Sequence, residues 1–107
     1  MSEQRQHPRT HVSVDLVFHA VGAETIYSGT GTDLSIGGMF VATRTRLGIG
    51  TRVKVRMRPS LGHDEINAEA TIRWENGAGF GLQFSPLSAK ETHILTEYLR
   101  SKAAAHK

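Results

Sequence analysis

With 107 residues, the chain is the size of one small domain and has room for a single core. It contains no cysteine, which excludes disulfides and thiolate metal sites, and its longest apolar runs, such as Gly37 to Ala42, fall far short of the ~20 residues a helix needs to cross a bilayer. A formal net charge of +3 predicts weak attraction to anions, and no basic tract is long enough to wrap a nucleic acid.

Residues 1 to 10 are polar, without periodicity and without an apolar signal core. They predict a mobile arm on a cytoplasmic protein. From His11 to Ala20, Val12, Val14, Leu16 and Phe18 alternate with more polar neighbours, the pattern of a half-buried strand. Gly22-Ala23-Glu24 marks a turn, and Ile26 to Leu34, rich in threonine and glycine, predicts a loosely packed second strand. Gly37-Gly38 breaks or bulges the chain before a third strand, Met39 to Thr43. Leu47 to Gly50 is a loop. Arg52 to Arg58 then alternates sharply, with Val53, Val55 and Met57 inward and Arg52, Lys54, Arg56 and Arg58 outward, a solvated basic face. Glu65 to Glu75 continues the pattern with Ile66, Ala68, Ala70, Ile72 and Trp74 in one phase. Asn76-Gly77 is a hairpin signal, and Gly79 to Phe84 returns with Phe80, Leu82 and Phe84 in phase. Ser88 and Glu91 have capping-box spacing, so a helix is expected to about residue 102, with Ile94, Leu95, Tyr98 and Leu99 on one face. Six short strands with glycine-rich turns favour a closed barrel. Three parts are thus expected: an arm at 1–10, a barrel with its helix at 11–102, and a frayed tail at 103–107.

Two short motifs carry the functional signal. Arg5 and Arg9 form R-x-x-x-R just before the first predicted strand, and Asp33-Leu34-Ser35-Ile36-Gly37-Gly38 forms D-x-S-x-x-G at a strand end. Arginine forks match phosphate oxygens, and an exposed carboxylate is an acceptor for N–H donors. Asp33 and Ser35, two apart on an extended segment, are expected to point to the same side, and Gly38 permits positive φ and close approach.

The two motifs in this order resemble the PilZ family of cyclic di-GMP receptors. The segments Ala70-Thr71-Ile72-Arg73-Trp74 and Gly79-Phe80-Gly81-Leu82-Gln83-Phe84 also look like the family's closing strands, so the resemblance extends over nearly the whole chain. It implies an all-β fold, a small six-stranded antiparallel barrel with a C-terminal α-helix. It also implies a non-catalytic cyclic di-GMP receptor of bacterial second-messenger signalling that acts on a partner protein; motility, pilus and exopolysaccharide systems are the family's usual outputs. By the same resemblance, Arg5 and Arg9 hold guanine and phosphate, while Asp33, Ser35 and Gly38 supply the other wall. Gln4, Gly37, Trp74 and Arg73 are further candidates. Many members carry an additional arginine directly before R-x-x-x-R that helps bind a second, intercalated dinucleotide. Gln4 stands there, and this departure bears on stoichiometry.

Trp74, the only tryptophan, has two readings: a core residue in phase with Ile72, or a platform for guanine at the strand end. Arg73, in the opposite phase, reaches a ligand only if the strand twists or bulges there. Enzyme readings are weaker. The serine segment lacks the first glycine of a nucleophile elbow and leads into a predicted strand. Gly77-Ala78-Gly79-Phe80-Gly81 has Leu82 where a dinucleotide fingerprint needs its last glycine. His7 and His11 stand four apart, but Pro8 and the strand onset argue against a helical metal pair, the remaining histidines form no cluster in sequence, and no metal or cofactor beyond the dinucleotide is expected. Two rival functions remain: an interaction adaptor of the same fold that does not bind nucleotide, and a small-barrel binder of single-stranded nucleic acid. The latter needs exposed aromatic platforms, and one tryptophan, two tyrosines and four phenylalanines fall mostly on predicted core faces.

Overall fold

The structure, a computed structural model, describes residues 10–59 and 64–105. Six strands follow in order: β1 Val14–Ala20, β2 Tyr27–Thr32, β3 Gly38–Ala42, β4 Arg52–Arg58, β5 Ile66–Asn76 and β6 Gly79–Phe84. They close into an antiparallel barrel in the order β1-β2-β3-β6-β5-β4, completed by pairing of β4 back onto β1. In the closed barrel each of the six strands has a paired neighbour on both sides. The seam of β3 with β6 lies across the barrel from the seam of β1 with β4.

Alternation sets the inside. Val14, Leu16 and Phe18 from β1, Val53, Val55 and Met57 from β4, and Ile66, Ala68, Ala70 and Ile72 from β5 are all buried. Phe18 meets Phe80 edge to face, with ring centroids 5.3 Å apart. β2 is glycine-rich because the interior there is full: a Cβ at Gly31 would lie 2.9 Å from Met39 Sδ.

The helix α1, Ala89–Ala105, runs past the expected end near residue 102. Ser88 caps it, accepting from Glu91 N at 3.1 Å. The reciprocal half of the capping box is replaced, since Glu91 Oε1 accepts from Asn67 N at 3.1 Å and ties the helix to β5. Ile94, Leu95 and Tyr98 join the barrel core. No helix among the described residues is long and apolar enough to cross a membrane.

Two elements are shorter than their sequence patterns. β1 begins at Val14 instead of His11, because Thr10 to Ser13 leave the ladder and make a single bridge between Thr10 and Leu34. β2 ends at Thr32 instead of Leu34, because Asp33 takes a left-handed conformation, φ 48°. The Asn76-Gly77 hairpin forms where expected, held by Asn76 Oδ1, which accepts from Ala78 N at 2.7 Å and Gly79 N at 3.1 Å.

Candidate functional site

The D-x-S-x-x-G segment is the β2–β3 connection. It splits into an outward and an inward half. Asp33 is the one non-glycine residue with positive φ among the described residues. Aspartate tolerates this region better than most side chains. Its carboxylate is 45% exposed, and its nearest polar partner is His11 Nδ1 at 3.4 Å. Ser35, by contrast, is buried. Its Oγ accepts from Gly37 N at 3.1 Å and Gly38 N at 3.3 Å, and its own N–H donates to Gly38 O at 2.9 Å. The expectation that Asp33 and Ser35 share a side fails, because the left-handed residue between strand and turn breaks the period of two that the expectation assumed.

The glycines differ from expectation in the same way. Gly38 is not left-handed, and the surface that presses on it is protein: a Cβ there would lie 2.0 Å from the Leu82 carbonyl oxygen. Gly37 O accepts from Phe84 N at 2.8 Å. Ser35, Gly37 and Gly38 therefore fold the turn and fasten it to β6, and Asp33 is the member whose side chain faces solvent.

The turn is joined to the start of the described chain. Thr10 N donates to Leu34 O at 2.8 Å, and Leu34 N donates to Thr10 O at 2.9 Å. This reciprocal pair sets Thr10, the residue after Arg9 in the sequence, directly beside the Asp33–Ser35 segment. Gln4, Arg5 and Arg9 themselves lie outside the described residues.

Beside the turn, the outer face of β3, β6 and β5 carries an aromatic stack. Phe40 on β3 and Trp74 on β5 both pair with Gly81 on β6, and their rings stack across it at 5.3 Å and 26°. Gly81 is required, because a Cβ there would fall 2.2 Å from Trp74 Nε1. The core reading of Trp74 is thereby overturned. The β5–β6 register shifts between Ile72 and Trp74, and a bulge of one residue moves every later side chain to the other face. Ile72 is fully buried and Trp74 is 41% exposed.

Arg73 occupies the bulge itself and is exposed. Its Nε donates to Gln83 Oε1 at 2.6 Å. Gln83 pairs with Gly38 on its other side, so this contact links the bulge to the turn. Phe40, Gly81, Gln83 and His11 are site neighbours that the sequence reading missed. Gly81 offered a signal, since glycine inside a strand often marks a close approach; Gln83 offered none. Among the described residues, no group of three or more His, Asp or Glu side chains is placed to hold a metal ion.

The family model described as PilZ domain matches residues 3–101. Among solved structures, the PilZ domain with c-di-GMP of YcgR from Escherichia coli aligns with TM-score 0.81 and 13% identity over 97% of this chain and 95% of that one. The inhibitor of motility MotI/DgrA from Bacillus subtilis aligns with TM-score 0.79 and 20% identity over 99% of this chain. This chain spans only 55% of that protein. The PilZ domain of CeSA from a cellulose-synthesizing bacterium aligns with TM-score 0.69 and 17% identity over 87% of this chain and 95% of that one. At such identities the likeness establishes a shared fold. No curated protein matches the sequence.

Proposed function

This chain belongs to the PilZ domain family, and on that premise we propose that it is a non-catalytic cyclic di-GMP receptor of the cytoplasm that passes its signal to a partner protein. The observation that carries the reading is the reciprocal Thr10–Leu34 bonding. It brings the chain that leaves R-x-x-x-R into contact with D-x-S-x-x-G, two motifs more than twenty residues apart in sequence.

The residues then divide the ligand's chemistry. Arg5 and Arg9 supply charged forks for the phosphodiesters and for guanine O6 and N7. The exposed Asp33 carboxylate accepts from a guanine N–H edge. Trp74, braced by Phe40, offers a ring face for stacking, and Arg73 adds a guanidinium beside it. Ser35, Gly37 and Gly38 act through the shape of the turn. Gln4 brings hydrogen bonding without charge. Contacts from both arginines hold residues 4 to 9 against the barrel next to the Thr10–Leu34 pair already in place, and the altered surface is what the partner reads.

Calorimetric titration of the full chain tests this. Cyclic di-GMP should give saturable heat and a short oligonucleotide none. Arg9→Ala should weaken binding by roughly ten- to a hundredfold, the loss of a charged hydrogen bond of about 1.5–3 kcal/mol, with thermal unfolding unchanged. An absence of saturable heat with the wild-type chain would favour the adaptor reading, and equal affinity in Arg9→Ala would move the site elsewhere.

A further inference from the structure

The barrel wall across from the β3–β6 seam has its own relief. β1 and β4 pair from Asp15–Arg58 to Ala20–Val53. Their outer side chains border two shallow depressions, of about 410 and 480 Å³, that share Val17 and Arg56. Together these make one trough along the β1–β4 seam. It is apolar in the middle, at Val17, and Ile26 stands at its edge, 65% exposed.

The charges along the trough are unevenly matched. Arg58 reaches Glu65 at 2.8 Å and Arg52 reaches Glu69 at 2.7 Å. Arg56 comes only within 3.9 Å of Glu65, whose other oxygen Arg58 already holds. Lys54, between His19 and Glu69 in register, makes no ion pair among the described residues. Two cations therefore flank the apolar strip with little compensation, and Asp15 lies at the far end.

We propose that this trough docks an acidic protein segment carrying an apolar anchor, with its aliphatic side chain on Val17 and Ile26 and its carboxylates on Lys54 and Arg56. Charge complementarity selects this occupant. A flat anionic membrane would meet Glu65, Glu69 and Asp15 along with the cations, whereas a single segment can place its charges around them. The site does not rest on the dinucleotide reading. Lys54 and Arg56 lie on the β1–β4 seam, across the barrel from the β3–β6 seam, so a partner can remain seated there while the other wall responds to ligand.

The test uses the isotopically labelled full chain and a synthetic peptide alternating glutamate with leucine, followed by amide chemical shifts. Saturable shifts are expected at Val17, His19, Lys54 and Arg56, weakening steeply as salt rises. The double variant Lys54→Glu, Arg56→Glu should lose at least tenfold in affinity while its amide spectrum stays dispersed and its response to cyclic di-GMP matches wild type. A lysine–leucine peptide should not bind. The proposal is overturned if the acidic peptide gives no saturable shifts, if the shifts fall on other strands, if the double variant binds as well as wild type, or if vesicles containing phosphatidylserine shift these residues and the peptide does not. Loss of the cyclic di-GMP response in wild type, with the peptide shifts intact, would instead count against the receptor reading alone.

Discussion

On the β1–β4 wall, inward and outward residues alternate through β4 without a break, Val53, Val55 and Met57 buried and Arg52, Lys54, Arg56 and Arg58 exposed. On the β3–β6–β5 wall, three departures from regular sheet lie close together: a left-handed aspartate at 33, a glycine at 38 pressed on a carbonyl, and a bulge at 73. Each departure costs conformational energy or a ladder position that a plain strand would keep. The regular wall needs only the hydrophobic pattern to form. The irregular wall needs particular residues, and two of its departures leave the side chains of Asp33 and Trp74 facing solvent.

That contrast can be broken most forcefully at Gly38. Gly38→Ala puts a methyl group into the Leu82 carbonyl, and because the obstacle is backbone, relief requires separating β3 from β6. A loss of about 3 kcal/mol or more is expected, read as a lowered urea midpoint. A midpoint within error of wild type would mean that the turn is not pinned to β6 as described.

Ser35→Ala should cost less, about 1–3 kcal/mol, since it removes the acceptor for Gly37 N and buried Gly38 N without adding bulk. Restoration of most of that stability by Thr at the same position would tie the effect to the hydroxyl.

Trp74→Ala separates function from fold. Removing the stack on Phe40 should cost on the order of 1 kcal/mol of stability. Removing a base platform should weaken cyclic di-GMP binding by about tenfold. If stability falls by several kcal/mol with affinity unchanged, Trp74 belongs to the structural side of the comparison.

Asp33→Gly gives the smallest change in stability, and of opposite sign. Glycine adopts the φ of 48° freely, so stability should hold or rise by up to about 1 kcal/mol. Affinity for cyclic di-GMP should fall, because the carboxylate is gone. A destabilised variant would show that the exposed contact with His11 matters more to the fold than the backbone conformation does.

The residue order alone determined the barrel's interior. Period-two alternation in β1, β4 and the first half of β5 is a local property, and burial of one face leaves a single consistent register. It also marked the turn at Asn76-Gly77 and the helix start at Ser88, where the signal lies within a few neighbouring residues. The tertiary structure alone decided which face Trp74 occupies. A bulge is defined by the register against the opposite strand, so nothing within β5 marks the extra residue. It likewise decided that Ser35 turns inward and that Gly38 packs closely against β6, because the obstacle at Gly38 is the Leu82 carbonyl, more than forty residues away in sequence. The D-x-S-x-x-G motif was legible as a candidate site, but its division into an exposed aspartate and buried turn-builders came from that long-range packing.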